Sequence, residues 1–516
     1  MRSRCENHWD ARKLKIMAIA AKQLDRCGMP EMQDRDRRRE LGQFFTPQPV
    51  ADFMASLFKG RWRELNLLDA GAGEGALSAA LVRRLCDSPH KPEKINVAAY
   101  ELDKALIEPL HATFSACRYQ CERTGIAFSA TVLNTDFIAS AASIVRGGLF
   151  APDRPGFNAA IVNPPYRKIR GDSTARVLLR SADIETGNLY TAFVALITEL
   201  LVDGGELVAI TPRSFCNGLY FKPFRQHFLE VMSLRRLHVL ESRSAAFKHD
   251  DVLQENIIIR AVKDRTKPEG VVVSSSSGEP GGAVTERDMA YHDVVSPGDP
   301  ERFIHLANGH TQDAARAMMR QLSTPLTQLG LSVSTGRVVD FRAKEFLRQQ
   351  PGHDTAPLLY PCHCNGASVN WPKAKTRKAN AIVSNEQTRD LLVPAGVYVL
   401  VKRFTAKEER KRIVACVYNP PPDHPLLVGF ENHLNYFHTR GGGVPALVAR
   451  GLAAFLNSTI VDTYFRQFNG HTQVNATDLR NLNYPTRTEL ERLGRRTGGK
   501  EMQQSELDAL VAGELF

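Results

Sequence analysis

The chain has 516 residues, 43% apolar and 24% charged, a length beyond what one hydrophobic core organises and a balance that excludes a largely disordered chain. No apolar run reaches the roughly 20 residues needed to cross a bilayer, and residues 16–21 are too short and too charged at their flanks for a secretory signal, so a cytoplasmic protein without membrane contact is expected. The formal net charge of +11 suits a polyanionic partner, since Lys and Arg on one face neutralise phosphates and release counterions.

In chain order, residues 1–40 read as a polar, helix-prone extension ending in the charge run 34–40, a solvated helix face. From 41 to 263, short β-branched or apolar runs alternate with amphipathic stretches, which predicts an α/β fold: a parallel sheet covered by helices. Seven strands are expected, at 65–69, 95–101, 130–134, 159–162, 206–211, 236–240 and 256–262. Residues 264–324 turn polar, with Ser274 to Ser277 and then Pro280-Gly281-Gly282, and read as a linker or loosely built crossing segment. From 325 to 516, short runs such as 398–401 and 413–417 are punctuated by Gly, Pro and Asn before a helical pattern over 444–468, which predicts a second, α+β domain. Nine cysteines, an odd number, fit reduced thiols better than a disulfide framework. Cys362-His363-Cys364 crowds its donors too closely for ordinary zinc spacing and no second pair follows, so no metal is expected.

Candidate chemistry gathers at the predicted strand ends. Leu67-Leu68-Asp69-Ala70-Gly71-Ala72-Gly73-Glu74-Gly75 closes the first strand and opens a helix, and its glycines let backbone approach a ligand with no Cβ in the way. The acid after the second strand, Glu101, comes later than the roughly 20 residues a dinucleotide fingerprint requires, which makes NAD the second choice of cofactor. A ligand with a ribose and no pyrophosphate fits better, because the Glu101 carboxylate can accept from both ribose hydroxyls. Asp136, just past the third strand, can accept from an adenine amino group, with Phe137 packing on the ring. Each acid taken alone reads as an ordinary loop or helix-capping carboxylate, but three successive strand ends form the crevice that open α/β sheets use.

The fourth strand stops at Asn163-Pro164-Pro165-Tyr166. Two prolines fix φ and donate nothing, so the chain leaves the sheet rigidly with free carbonyl acceptors. The Asn163 side-chain oxygen and the Pro164 carbonyl can accept from the two N–H bonds of a planar amino group while Tyr166 stacks on its base. That arrangement aligns the nitrogen for attack on a sulfonium methyl; the plainer alternative is a strand-ending turn.

Together these residues resemble the γ-class N6-adenine DNA methyltransferases of bacterial type II restriction-modification systems, over nearly the whole chain from Leu41. The resemblance implies a seven-stranded, Rossmann-like domain dependent on S-adenosyl-L-methionine at 41–263 and a C-terminal target recognition domain at 325–516. It also implies that Phe45, Thr46 and Pro47 contact the methionine end of the cofactor. Asp69, Gly71 and Gly73 match the family's glycine loop, Glu101 its ribose acid, Asp136 and Phe137 its adenine pocket, and Asn163, Pro164, Pro165 and Tyr166 its catalytic turn. Residues 211–215 and 221–225 resemble a segment beside the family's active site. Phe247 stands where the family sets an aromatic ring against the flipped base, the alternative being a core phenylalanine. Residues 333–337, 429–433 and 470–475 resemble family recognition domains.

The expected partner is double-stranded DNA, with a cognate restriction endonuclease as a genetic partner only and a monomer as the acting form; no endonuclease segment is apparent. Lys373, Lys375, Arg377, Lys378, Lys402, Arg403, Arg410, Lys411 and Arg412 could grip phosphates and residues 471–475 could read base edges, although each charge taken alone reads as solvated surface. The same turn would equally serve a cytosine N4, a ribosomal RNA base or a protein glutamine amide. A DNA-binding subunit without catalysis, or one needing a separate specificity subunit, stays open.

Overall fold

Leu67 and Leu68 are neighbours on one strand, yet they sit in different cores on opposite faces of one sheet. In the computed structural model, which describes residues 46–147, 155–240, 256–276, 283–306, 310–374, 376–405, 409–420, 426–440, 442–469, 473–499 and 502–516, both faces of that sheet are covered. This explains the near-continuous apolar runs, since a strand buried on both sides has no polar face to alternate with. The expected extension at 1–40, with Phe45 and Phe247, lies outside the described residues. No helix among the described residues is long and apolar enough to cross a membrane.

The chain divides into two compact units, Met1–Asn308 and Gly309–Phe516. The first is built on strands β1 (Glu64–Ala70), β2 (Lys94–Tyr100), β3 (Ala127–Leu133), β4 (Phe157–Val162), β5 (Leu201–Pro212), β6 (Met232–Leu240), β7 (Asn256–Lys263), β8 (Gly270–Ser276) and β9 (Thr285–Ala290). Their order is β3-β2-β1-β4-β5-β7-β6-β8-β9. β1 pairs in parallel with β2 on one side (Leu67 beside Val97) and with β4 on the other (Leu67 beside Ala159), so the strand order reverses at β1. A crevice opens at the carboxyl ends where such a reversal occurs. One face is covered by α1 (Gln48–Ser56), α2 (Ala76–Cys86) and α3 (Ile107–Arg123), the other by α4 (Phe137–Arg146), α5 (Thr174–Ser181), α6 (Leu189–Leu200) and α7 (Lys222–Val231).

Among the described residues the sheet thus has nine strands where the sequence predicts seven. The two additional ones, β8 and β9, come from the stretch expected to be a linker. Val271 and Val273 are buried in the core, and the serines after them are bonded to the neighbouring strand: His238 lies 2.9 Å from Ser274 Oγ through Nδ1 and 2.9 Å from Ser276 Oγ through Nε2. Polar composition misled there because those hydroxyls have side-chain partners across the sheet.

The described part of the second unit contains a six-stranded and a five-stranded sheet that share one apolar cluster, with Tyr398 and Leu400 from the first and Leu359 and Phe430 from the second, while a further cluster around Leu358 and Ile382 belongs to the five-stranded sheet; the helices Ala446–Leu456 and Arg487–Thr497 complete it. Those two helices meet through Gly451 and Gly494, where an added Cβ would overlap the Leu490 and Leu447 carbonyls respectively.

Candidate active site

A cavity of about 200 Å³ opens at the carboxyl ends of β1 to β4, and Gly71, Gly73, Glu101, Asp136, Phe137, Asn163 and Pro165 all line it. The glycine loop owes its shape to positive φ at Gly71 (77°), Gly73 (56°) and Gly75 (84°), which a side chain would strain. Gly71 and Ala72 both donate to the Tyr100 carbonyl at 2.9 Å, which hangs the loop on the end of β2.

Glu101 is buried and fixed by backbone donors: Gly73 N–H reaches Oε2 at 2.8 Å and Asp103 N–H reaches Oε1 at 2.7 Å. Burial nevertheless raises its carboxyl above the usual range, against the pull of those two bonds. Asp136 caps α4, accepting from Ile138 N–H at 2.8 Å, so the helix start directs this carboxylate to the cavity mouth. Beside it Phe137 is buried between Tyr100 (ring centroids 5.1 Å apart) and Phe193 (4.9 Å), an aromatic floor for a planar ligand.

On the opposite wall, Asn163 Nδ2 donates to Thr46 Oγ1 at 3.0 Å and Asn163 Oδ1 accepts from the Tyr166 hydroxyl at 3.0 Å. Tyr166 also reaches the Ile210 carbonyl at 3.3 Å and packs edge-on against Tyr190. Desolvation raises the Tyr166 phenol, which remains a neutral donor rather than a base. The chain beyond the turn is pinned too, since Leu189 N–H donates to the Arg167 carbonyl at 2.8 Å and Ile169 N–H to the Gly187 carbonyl at 2.8 Å.

Not every residue singled out by the sequence reaches the cavity wall. Asp69 is fully buried behind the loop, its Oδ2 accepting from Ser78 Oγ at 2.6 Å, and desolvation raises its carboxyl to about 7. Pro164 is buried under the turn, while Thr46 and Tyr166 stand behind Asn163 and orient it; Pro47 caps α1. Conversely, Leu102, Leu106, Arg167, Ala175, Leu189 and Phe193 line the cavity without having been singled out from the sequence. The position of Leu102, directly after the acid, was a usable signal. Phe193 had none, lying within an apolar helix like any core residue.

The description "Eco57I restriction-modification methylase" matches residues 118–247, a span containing Asp136, Phe137 and the Asn163 turn. The chain is 42% identical to type II methyltransferase M.PstI of Providencia stuartii over 93% of both chains. It is 45% identical to type II methyltransferase M.BsuBI of Bacillus subtilis over 89% of this chain and 90% of that one. Among solved structures, the type IIG restriction endonuclease BpuSI is similar at 14% identity with a TM-score of 0.40, over 98% of this chain and 65% of that one. Two relatives above 40% identity, matched along nearly their whole length, place the protein: it belongs to the type II DNA methyltransferases of restriction-modification systems.

Proposed function

We propose that the chain methylates the exocyclic N6 of an adenine rotated out of a specific double-stranded DNA site, and thereby protects that site from a cognate endonuclease. The observation that carries this reading is that Asn163 and Pro165 share one cavity with Gly71, Gly73 and Glu101, with the Asn163 amide held between Thr46 and Tyr166.

The cofactor is S-adenosyl-L-methionine, which when bound supplies an electrophilic methyl on a sulfonium. The residues present fit it: Gly71 and Gly73 on one wall, the buried Glu101 carboxylate held in place by backbone donors, and an aromatic floor. Glu101 would hold the ribose hydroxyls, Asp136 the adenine amino group and Phe137 the adenine ring. Asn163 Oδ1, which Tyr166 orients, would accept one N6 hydrogen and the backbone carbonyl of Pro164 the other. Accepting both hydrogens orients the nitrogen and builds electron density on it, so no base must act before attack; the proton turns acidic only as the N–C bond forms. Rotating the base from the duplex costs a few kcal/mol, and Tyr166, which the sequence suggested as the stacking platform, instead acts through the Asn163 side chain that it orients.

The test is transfer of labelled methyl to duplex DNA by the purified chain, followed by digestion and mass spectrometry of the nucleosides. N6-methyladenine is expected. N4-methylcytosine alone, or label confined to RNA or protein, would overturn the reading.

A further inference from the structure

The stretches 333–337, 429–433 and 470–475 are far apart in sequence, yet within the second unit their described parts meet. Gly336 N–H donates to the Leu434 carbonyl at 2.8 Å, Thr335 Oγ1 to Asn435 Oδ1 at 3.0 Å, and Asn435 Nδ2 to the Val474 carbonyl at 2.7 Å. Arg403 ties two of them together: its guanidinium donates to the Asn432 carbonyl at 3.1 Å and to Gln473 Oε1 at 3.4 Å, and its own carbonyl accepts from Val474 N–H at 2.7 Å.

At this junction Phe404 is 43% exposed, its ring centroid 4.8 Å from that of His433, and its backbone forms a β-bridge to Gln473. His433 Nδ1 is bonded to the buried Glu431 carboxylate, which fixes the half-exposed ring and leaves Nε2 for a ligand. An adjoining cavity of about 500 Å³ is lined by Lys344, Arg348, Arg377 and Lys378, all exposed, against the single carboxylate of Asp340. The backbone links that cavity to the junction: Val338, two residues before Asp340, forms a β-bridge with Glu431, and its carbonyl accepts from Asn432 N–H at 2.8 Å. An imidazole, an amide and an exposed ring beside a cationic hollow are the groups that read base edges and grip phosphates.

We propose that Phe404, His433 and Gln473 form the base-reading face of this chain, and that the Lys344, Arg348, Arg377 and Lys378 cavity grips the phosphates of the same duplex. The proposal rests on the reading of duplex DNA as substrate. Its test begins by sequencing modified bases in DNA treated with the purified full chain, which defines the site. Duplexes carrying that site, and its single-base substitutions, are then offered to wild type, His433→Ala, Gln473→Ala and Arg377→Ala.

The two reading variants lose about tenfold to a hundredfold in kcat/KM on the site, and discrimination shrinks at particular positions. Arg377→Ala weakens all duplexes alike and flattens the dependence of affinity on salt. Unchanged thermal unfolding shows that the variants fold; should His433→Ala not fold, His433→Gln and Gln473→Ala carry the test. Wild-type rate and discrimination in both reading variants overturn this proposal and leave adenine methylation standing. Label on cytosine in a site still read through His433 and Gln473 defeats only the choice of adenine, and no label on any duplex defeats both.

Discussion

At the scale of single residues, Asn163 is the proposed reacting-site acceptor, and three other groups fix it: Thr46, Tyr166 and, through Tyr166, the Ile210 carbonyl. Asn163→Ala is expected to lower kcat by on the order of a hundredfold or more while S-adenosylmethionine still binds, a split that single-turnover kinetics and calorimetry resolve. Full activity would remove the turn from the mechanism. Glu101→Ala deletes a charged acceptor, and calorimetry should show cofactor affinity falling about tenfold or more. Asp69 yields a pH prediction. With a carboxyl near 7 in the folded chain, against 3.8 ordinarily, the fold binds this proton more tightly than the unfolded chain does. Its stabilising contribution is complete below about 4 and is lost as pH rises through 7, by on the order of 4 kcal/mol. Asp69→Asn mimics the protonated form, so its melting temperature should fall less than that of wild type between pH 5 and 8; parallel curves would refute this.

At the scale of elements, the first unit is the more legible half. The parallel strands β1, β2, β4 and β5 were readable because burial on both faces makes each a nearly continuous apolar run, and the glycine loop and Asn-Pro-Pro-Tyr turn were readable because their conformations demand those residue types. β8 was not, since its serines are polar in composition but bonded within the sheet. In the second unit, the helices Ala446–Leu456 and Arg487–Thr497 approach so closely at Gly451 and Gly494 that even a methyl group overlaps backbone. Gly494→Ala should therefore destabilise that unit by about 1–3 kcal/mol, seen as a lower denaturant midpoint, whereas Gly513→Ala, in open space, should cost little.

At the scale of the whole molecule, the net charge of +11 makes binding to duplex DNA a matter of counterion release. Affinity should fall by about a thousandfold or more between roughly 50 and 200 mM salt if six or more phosphates are neutralised, and a flat profile by fluorescence anisotropy would count against duplex DNA as substrate. The sequence by itself determined the family, the sheet's first strands and the Asn-Pro-Pro-Tyr turn that ends the fourth, because burial period and turn stereochemistry are local and leave their mark in the chain. Only the tertiary structure decided which of those residues share a cavity: it brought Asn163 to Thr46 across 117 positions, set Phe193 beneath Phe137, and withdrew Asp69 behind the loop. Those outcomes depend on register and crossover between distant strands, for which no local pattern carries information.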